Sequence, residues 1–454
     1  MFSKKDLIKL LIPLVIEQIL LVAVGMADTI MISSVGEEAV SGVSLVDTIN
    51  VLLINIFTAL ATGGSVVAAQ WLGHREKEKA STCAMQLVLF VGVISLAVMA
   101  LMLVGHQFIL QVVFGQIEPQ VMENAKTYLF ITALSIPFIA LYNAGAALFR
   151  AMRDSRTSMI TSLIMNGINI AGNAILIYGF HMGVEGAAIP TLISRVIAAV
   201  IILALLCQPK REISLHQRMT FRFQGKVVKK ICYIGIPNSI ENSLFQLGKI
   251  LVLSLATSFG TTALAANAVS NNIALIQILP GMAVGYGMIT VVAQCVGAGD
   301  YDGAKYYTKL LMKIAYVSMW LINVIVVLGL PVIVQAFHLS QQTGQLTSQI
   351  IIYHAICCAL IWPLSFTLPN ALRAANDVKV PMVISIVSMW VFRIGFSYVL
   401  AQWLQMGVFG IWVAMTIDWL FRGILFVVRY LRGKWQKLNL LDSQKEKTPS
   451  DLPA

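Results

Sequence analysis

The sequence predicts an all-α integral membrane protein: twelve transmembrane helices in two parallel six-helix lobes, related by a pseudo-twofold axis along the membrane normal. Three observations predict this. Of the 454 residues, 58% are hydrophobic and only 12% charged, with a mean hydropathy of +0.81. A soluble domain carries roughly 45–50% apolar and about 25% charged residues, and a water-exposed surface this apolar would aggregate. The apolar residues also fall into twelve runs, each near the roughly 20 residues that cross a bilayer. Finally, the chain matches itself at a shift of 224 residues.

In order, the runs cover residues 9–33, 44–70, 83–104, 126–148, 157–180, 186–207, 230–257, 267–293, 307–334, 348–371, 380–402 and 408–430. The first follows Lys4, Lys5 and Lys9. It is too long for a signal-peptide core and has no small-residue cleavage site, so it reads as a span. The longest polar connection, 208–229, holds Lys210, Arg211, Arg218, Arg222 and Lys226 and sits at mid-chain. Lobes are therefore expected at 1–207 and 230–430, with 208–229 as linker and 431–454 as a tail.

Basic residues set the orientation. The N-terminus, the even-numbered connections and the C-terminal segment hold all but four of the 32 Lys and Arg. Lys126 lies in an opposite connection, and Arg195, Lys249 and Arg393 lie within spans. The opposite connections carry Glu37, Glu38, Glu118, Glu123 and Glu185 instead. The positive-inside rule then puts both termini in the cytoplasm and the chain in the plasma (inner) membrane. Lipid headgroups account for the net charge of +11, and no nucleic-acid partner is expected. Cys83, Cys207, Cys232, Cys295, Cys357 and Cys358 fall in or beside apolar runs without metal-ligand spacing, as small core residues do.

The repeat holds register over a long stretch. Pro13-x-x-Ile16-Glu17-x-x-Leu20 returns as Pro237-x-x-Ile240-Glu241-x-x-Leu244. Gly36, Ala39, Gln70 and Gly73 meet Gly260, Ala263, Gln294 and Gly297. Arg150, Asp154 and Met159 meet Arg373, Asp377 and Met382 at 223, and Gly183 and Gly186 return to 224 with Gly407 and Gly410. Six spans bring each half back to the side it started from, so the repeats are parallel. Substrate sites in such folds lie between the halves, which rock to give alternating access.

Ionisable residues inside spans cost roughly 2.5–3.5 kcal/mol each on insertion scales and usually face a cavity or a partner. Here they are Glu17, Asp28, Arg195, Glu241, Lys249, Arg393 and Asp418, with Asp47 near a span end. Asp28 lies eleven residues beyond Glu17, about 20° of helix rotation and about 16 Å along one face. It either caps a kink or pairs with an arginine, or it binds a cation or proton. Its counterpart is Val252, so this carboxylate belongs to the first half alone. Glu17 and Glu241 occur in both halves, each four residues after a proline, where polar groups can satisfy freed backbone. Asn166, Asn169 and Asn173 line one face of the fifth span, and Thr191, Ser194 and Arg195 follow on the sixth. They either join helices by hydrogen bonds or gather oxygens with Asp28 around a small hard cation such as Na⁺. Arg393 falls at or one residue from the counterpart of Asn169, so the second half has a basic residue where the first has a neutral one. His354 reads as a packed neutral ring.

No P-loop, H-E-x-x-H, G-x-S-x-G or Cys/His cluster is present, so no enzymatic or nucleotide-driven chemistry is expected. The run Ile12-Pro13 through Ala27-Asp28-Thr29-Ile30-Met31, followed by Gly36-x-x-Ala39, resembles the first helix of the multidrug and toxic-compound extrusion (MATE) family. Gln70-x-x-Gly73, Leu148-Phe-Arg150-Ala151 and Gly183-Val-Glu-Gly-Ala-Ala188 are also similar to that family, and the likeness covers nearly the whole chain. The resemblance implies export of organic cations and other amphipathic drugs, driven by Na⁺ or H⁺ entry. It implies Asp28 as the coupling acid, with Asn169, Asn173 and Thr191 around the cation. Glu17 and Glu241 become candidates for coupling or substrate contact. Two departures stand out. Asn173 replaces an Asp found in some members, and Ile361-Trp362-Pro363 lacks an acid found in others, which speaks against a second cation site at Glu241.

The resemblance further implies a monomer that needs only membrane lipid, its drugs and the coupling ion, with no bound cofactor. The alternative within the same superfamily is a lipid-linked oligosaccharide flippase, which would need an inter-lobe cavity rich in arginine. A major-facilitator carrier is disfavoured because His74-Arg75-Glu76-Lys77 follows Gly73 where that class has its Asp-Arg loop signature.

Overall fold

A computed structural model describes residues 2–114, 118–216, 222–337, 339–438 and 440–441. Arg218 and most of the expected tail lie outside the described residues. Those residues form twelve long helices and no strand. The first lobe holds α1 (Lys4–Ser33), α2 (Glu37–Gly73), α3 (Lys77–Phe114), α4 (Pro119–Leu134 and Ile136–Ala151), α5 (Ser155–Gly179) and α6 (Glu185–Leu206). The second holds α7 (Gly225–Thr257), α8 (Thr261–Gly297), α9 (Tyr301–Ala336), α10 (Gln341–Ala374), α11 (Lys379–Trp403) and α12 (Gly407–Leu431).

Helix ends follow local chemistry. Ser3 and Asp6 form a reciprocal capping box at the start of α1. Asp154, Asp300 and Ser340 cap α5, α9 and α10 by accepting from Thr157, Gly303 and Thr343 backbone N–H groups. The turns into α2 and α8 pass through Gly36 (φ +144°) and Gly260 (φ +88°), conformations that need glycine. Several helices outrun their predicted spans. Hydropathy finds the apolar middle, whereas backbone hydrogen bonding continues through polar turns until a cap stops it; α2, α3 and α10 each begin six or seven residues early.

The fourth predicted span is two helices bent by 47°. Pro137 has no N–H to donate across the bend, and the Ser135 hydroxyl donates to the Thr132 carbonyl at 2.6 Å. Ten of the helices, plus this bent pair, are long and apolar enough to cross a membrane. The remaining one is α7, which carries Lys226, Lys229, Lys230, Glu241 and Lys249 along with Asn238 and Asn242. The counterpart helices α3 and α9 turn apolar belts outward, with Leu101, Val104 and Phe108 on one and Leu321, Leu328 and Val332 on the other. These belts face hydrocarbon.

The lobes meet through α1, α2, α7 and α8, at the end that carries the basic connections. A Cβ on Gly73 would lie 2.0 Å from the Gln294 carbonyl oxygen, and one on Gly297 would lie 1.9 Å from that of Gln70. Backbone therefore crosses backbone, as small residues allow. The Gln70 amide donates to the Ala374 carbonyl at 2.8 Å, and Gln294 donates to the Ala151 carbonyl at 2.7 Å. Slightly deeper, Gly63 accommodates the Gly235 backbone and Gly287 accommodates Leu11. Towards the opposite end the lobes part, leaving a cleft of about 570 Å³ between α1 and α8. The connection between lobes packs under the first one. Ile213 and Leu215 are buried, and Gln86 bonds both the Arg222 carbonyl and the Gln224 N–H.

Replacing Gly73 with Leu should open this crossing. We expect an overpacking cost of about 1–3 kcal/mol, read as a lowered Tm in detergent and lost transport. Wild-type Tm and transport would show that the crossing tolerates a side chain.

Candidate cation site and substrate cavity

The first lobe gathers the predicted polar residues where α5 closes on α6. Gly172 permits this, because a Cβ there would meet Pro190 at 2.6 Å. The Asn169 amide donates to Thr191 Oγ1 at 3.0 Å, and Asn173 Nδ2 donates to Asp28 Oδ1 at 2.8 Å. Asn173 also lies 3.5 Å from Asn169 Oδ1. The structure thus joins Asp28, Asn173, Asn169 and Thr191 in one chain across α1, α5 and α6. Asn173 Oδ1 is buried with no hydrogen-bond partner. Asp28 has no ion-pair partner among the described residues; Arg195 donates instead to Ser135 at 2.7 Å, bracing the α4 bend. Asp47, held by Tyr128 and Asn50 at 3.4 Å, and Arg195 are the charges that reach Asp28 electrostatically. Asn166 bonds Ser162 one turn away and takes no part. A carboxylate beside an unsatisfied carboxamide oxygen is a donor set for a small hard cation or a proton.

Glu17 and Glu241 sit elsewhere. Glu17 accepts from Ser158 at 3.0 Å and pairs with Arg150 at 3.6 Å. Arg373, the repeat counterpart of Arg150, donates to both oxygens of Glu241 at 2.8 Å, and Arg422 stands 3.8 Å away. Each lobe therefore ties its first helix to the end of its fourth by the same ion pair. The repeated aspartates Asp154 and Asp377 each take an arginine as well, Arg211 and Arg429, both at 2.6 Å, although these two arginines are not repeat counterparts.

A cavity of about 340 Å³ lies chiefly in the second lobe, lined from α7, α8, α10, α11 and α12 and, on the first-lobe side, by Thr58, Ala59 and Thr62 of α2. Phe245, Trp362, Phe366 and Trp419 supply its aromatic walls, and Lys249, Arg373 and Arg393 its charge. It shares Leu275 and Met282 with the α1–α8 cleft, so the two spaces adjoin. His354 is packed, bonding Gln277 at 2.6 Å between Trp412 and Trp419. Arg422 is the charged residue that sequence reasoning left among the tail cations. Its position one turn after Asp418 on an apolar helix was the available signal.

Two repeated lobes of membrane-spanning helices, parted at one end around polar sites, define a membrane transporter. The MatE family model matches residues 13–175 and 237–399, one copy per lobe at the 224-residue shift, and the chain belongs to that family, the MATE transporters. The chain is 25% identical to the probable multidrug resistance protein NorM of Thermotoga maritima, over 98% of this chain and 96% of that protein. It is 28% identical to the uncharacterized transporter YisQ of Bacillus subtilis, over 93% of each. Its fold matches a solved outward-facing multidrug resistance MATE family transporter of the MOP superfamily with a TM-score of 0.89, at 20% identity and over 96% of this chain and 97% of that one. The chain is a transporter and not an enzyme, and the flippase alternative is not favoured by these relatives.

Arg373→Met should strand the buried Glu241 carboxylate and cost about 3–5 kcal/mol, measured by thermal unfolding in detergent. Adding Glu241→Gln should restore most of the loss. A single variant as stable as wild type would show that Arg422 alone suffices for Glu241.

Proposed function

We propose that the chain exports amphipathic drugs by antiport, with entry of Na⁺ or H⁺ at Asp28 as the driving step. The observation that carries this reading is the chain Asp28–Asn173–Asn169–Thr191, with an unsatisfied buried oxygen on Asn173 and an apolar residue, Val252, at the repeat position of Asp28. The multidrug resistance name of a relative matched over nearly its full length supports the class of cargo.

The positive-inside rule makes the basic end cytoplasmic. The α2–α8 crossing then closes the cytoplasmic side, and the α1–α8 cleft opens outward. An entering cation meets the Asp28 carboxylate and Asn173 Oδ1, while Asn169 and Thr191 hold the Asn173 side chain in place. Occupation withdraws charge from the bond by which Asn173 tethers α1 to α5. Beyond this bond the outer half of α1 packs through Ala27, Met31 and Ile32, and a Cβ on Gly25 would meet nothing within 4 Å. A change of α1 is felt directly in the cleft it shares with α8, where drug would leave. Each monovalent cation moving through 100 mV supplies about 2.3 kcal/mol.

The test is efflux of a fluorescent drug from proteoliposomes under imposed Na⁺ or H⁺ gradients. Wild type should follow one gradient, which identifies the ion. Asp28→Asn retains an acceptor for Asn173, so it should fold yet lose at least about tenfold in gradient-driven rate, about 1.4 kcal/mol of coupling. Undiminished gradient-driven efflux by that variant would overturn the proposal. Asn173→Ala should raise the half-saturating cation concentration about tenfold, since it removes one of the two ligands.

A further inference from the structure

We propose that the second-lobe cavity binds an amphipathic organic anion, an aromatic carboxylate or sulfonate, and that this is a class of molecule the protein exports. The binding claim stands on the cavity alone, and the export claim rests on the antiporter reading above.

The charges around this cavity do not balance. Lys249, Arg373 and Arg393 line it, with Arg422 behind them, and among the described residues the acids that pair with these groups are Glu241 and Asp418. Both acids are already engaged. Arg373 grips both oxygens of Glu241. Asp418, wholly buried, accepts from Ser388 at 2.5 Å and lies 3.9 Å from Arg393 and from Arg422. An organic cation entering here would meet guanidinium groups before it met a carboxylate.

Two of the cations have capacity left: Lys249, and Arg393 beyond its 3.9 Å contact with Asp418. Lys249 is exposed to the cavity and has neither an acid nor a hydrogen-bond acceptor among the described residues; its ammonium stands 5.2 Å from the Phe245 ring centre. The Arg393 guanidinium stands 5.0 Å from the same ring. Arg393 is 91% buried, and its Nε has no hydrogen-bond partner. Two positive groups sharing one aromatic ring form an anion receptor: Lys249 lines the cavity, and the buried Arg393 keeps an unbonded Nε beside its long contact to Asp418, so a negative charge would replace hydration that burial strips from the guanidinium. Beside them Trp362 and Phe366 stack at 4.9 Å, a flat apolar wall suited to an aromatic ring. The first lobe has the opposite bias, with Asp28 and Asp47 around a single Arg195. The lobes therefore sort charge, with the coupling cation in one and an anionic cargo in the other. One cation in and one monoanion out moves two positive charges inward per turnover, whereas a monovalent cationic cargo moves none.

Fluorescein and rhodamine 123 share a xanthene ring and differ in charge. Their binding to the full chain, in nanodiscs of phosphatidylcholine only, is measured by fluorescence polarisation. We expect fluorescein to bind at least tenfold tighter than rhodamine 123. Lys249→Gln should weaken fluorescein at least tenfold and leave rhodamine 123 unchanged. Arg393→Lys should weaken fluorescein less than Arg393→Gln does. Equal or tighter binding of rhodamine 123, or an unchanged fluorescein affinity in Lys249→Gln, overturns the proposal. Lys249 makes no hydrogen bond among the described residues that its loss would break, so this variant decides the matter even where Arg393 variants fail to fold. Fluorescein binding that persists in Asp28→Asn supports the cavity assignment even if coupled export fails. Asp28-dependent efflux of rhodamine 123 without fluorescein binding overturns the cavity assignment and leaves the antiporter reading standing.

Discussion

Where α2 and α8 cross at the basic end, no side chain stands between them. Gly73 and Gly297 let each helix lay its backbone against the carbonyl of the other's glutamine. The same two glutamines, Gln70 and Gln294, reach across to the ends of the opposite lobe's fourth helix. This crossing fixes the distance between the lobes at one end, and the cleft towards the other end follows from it. Because each contact has a pseudo-symmetric twin, rotating one lobe against the other strains both members of a pair together. The contact therefore closes or releases as a unit, which suits a fold that alternates between two states.

Within each lobe the repeated framework is ionic. Glu17–Arg150 and Glu241–Arg373 tie first helix to fourth, and Asp154–Arg211 and Asp377–Arg429 brace the basic end. Buried pairs of this kind contribute little net stability, but losing one partner is costly, so they act chiefly to fix geometry. Chemistry diverges only away from this framework. On α1 the repeat places Asp28 against Val252, and on α5 and α11 it places Asn169 against Arg393. One scaffold thus presents acceptor oxygens in the first lobe and donor nitrogens in the second.

Much of this was legible in the sequence. The twelve helices, the parallel repeat and the asymmetry of Asp28 follow from apolar run length and a single register. The cluster of Asp28, Asn169, Asn173 and Thr191 was foreseeable from helical spacing together with family resemblance. Other features required coordinates. The unsatisfied Asn173 Oδ1 depends on which way one amide is turned. The ion pairs of Glu17 and Glu241 were not legible, because their arginines lie more than 130 residues away. The second-lobe cavity draws Phe245, Trp362, Arg393 and Trp419 from four helices, and no local pattern links them. The bend of α4 was hidden because hydropathy is blind to a missing proline N–H.

The polarity of α7 bears on how the protein is built. Lys249, Asn238 and Asn242 face a cavity and Glu241 a partner helix in the finished molecule, but they would face lipid if the helix entered the bilayer alone, at a few kcal/mol for each charge. Synthesis proceeds from the N-terminus, so the first lobe already stands when α7 emerges. Gly63 on α2 offers the groove into which the Gly235 backbone fits. The completed first lobe is thus a template for inserting the most polar helix of the second. Loosening that groove should be felt first in biogenesis, as failed insertion of everything downstream, before it is felt in turnover.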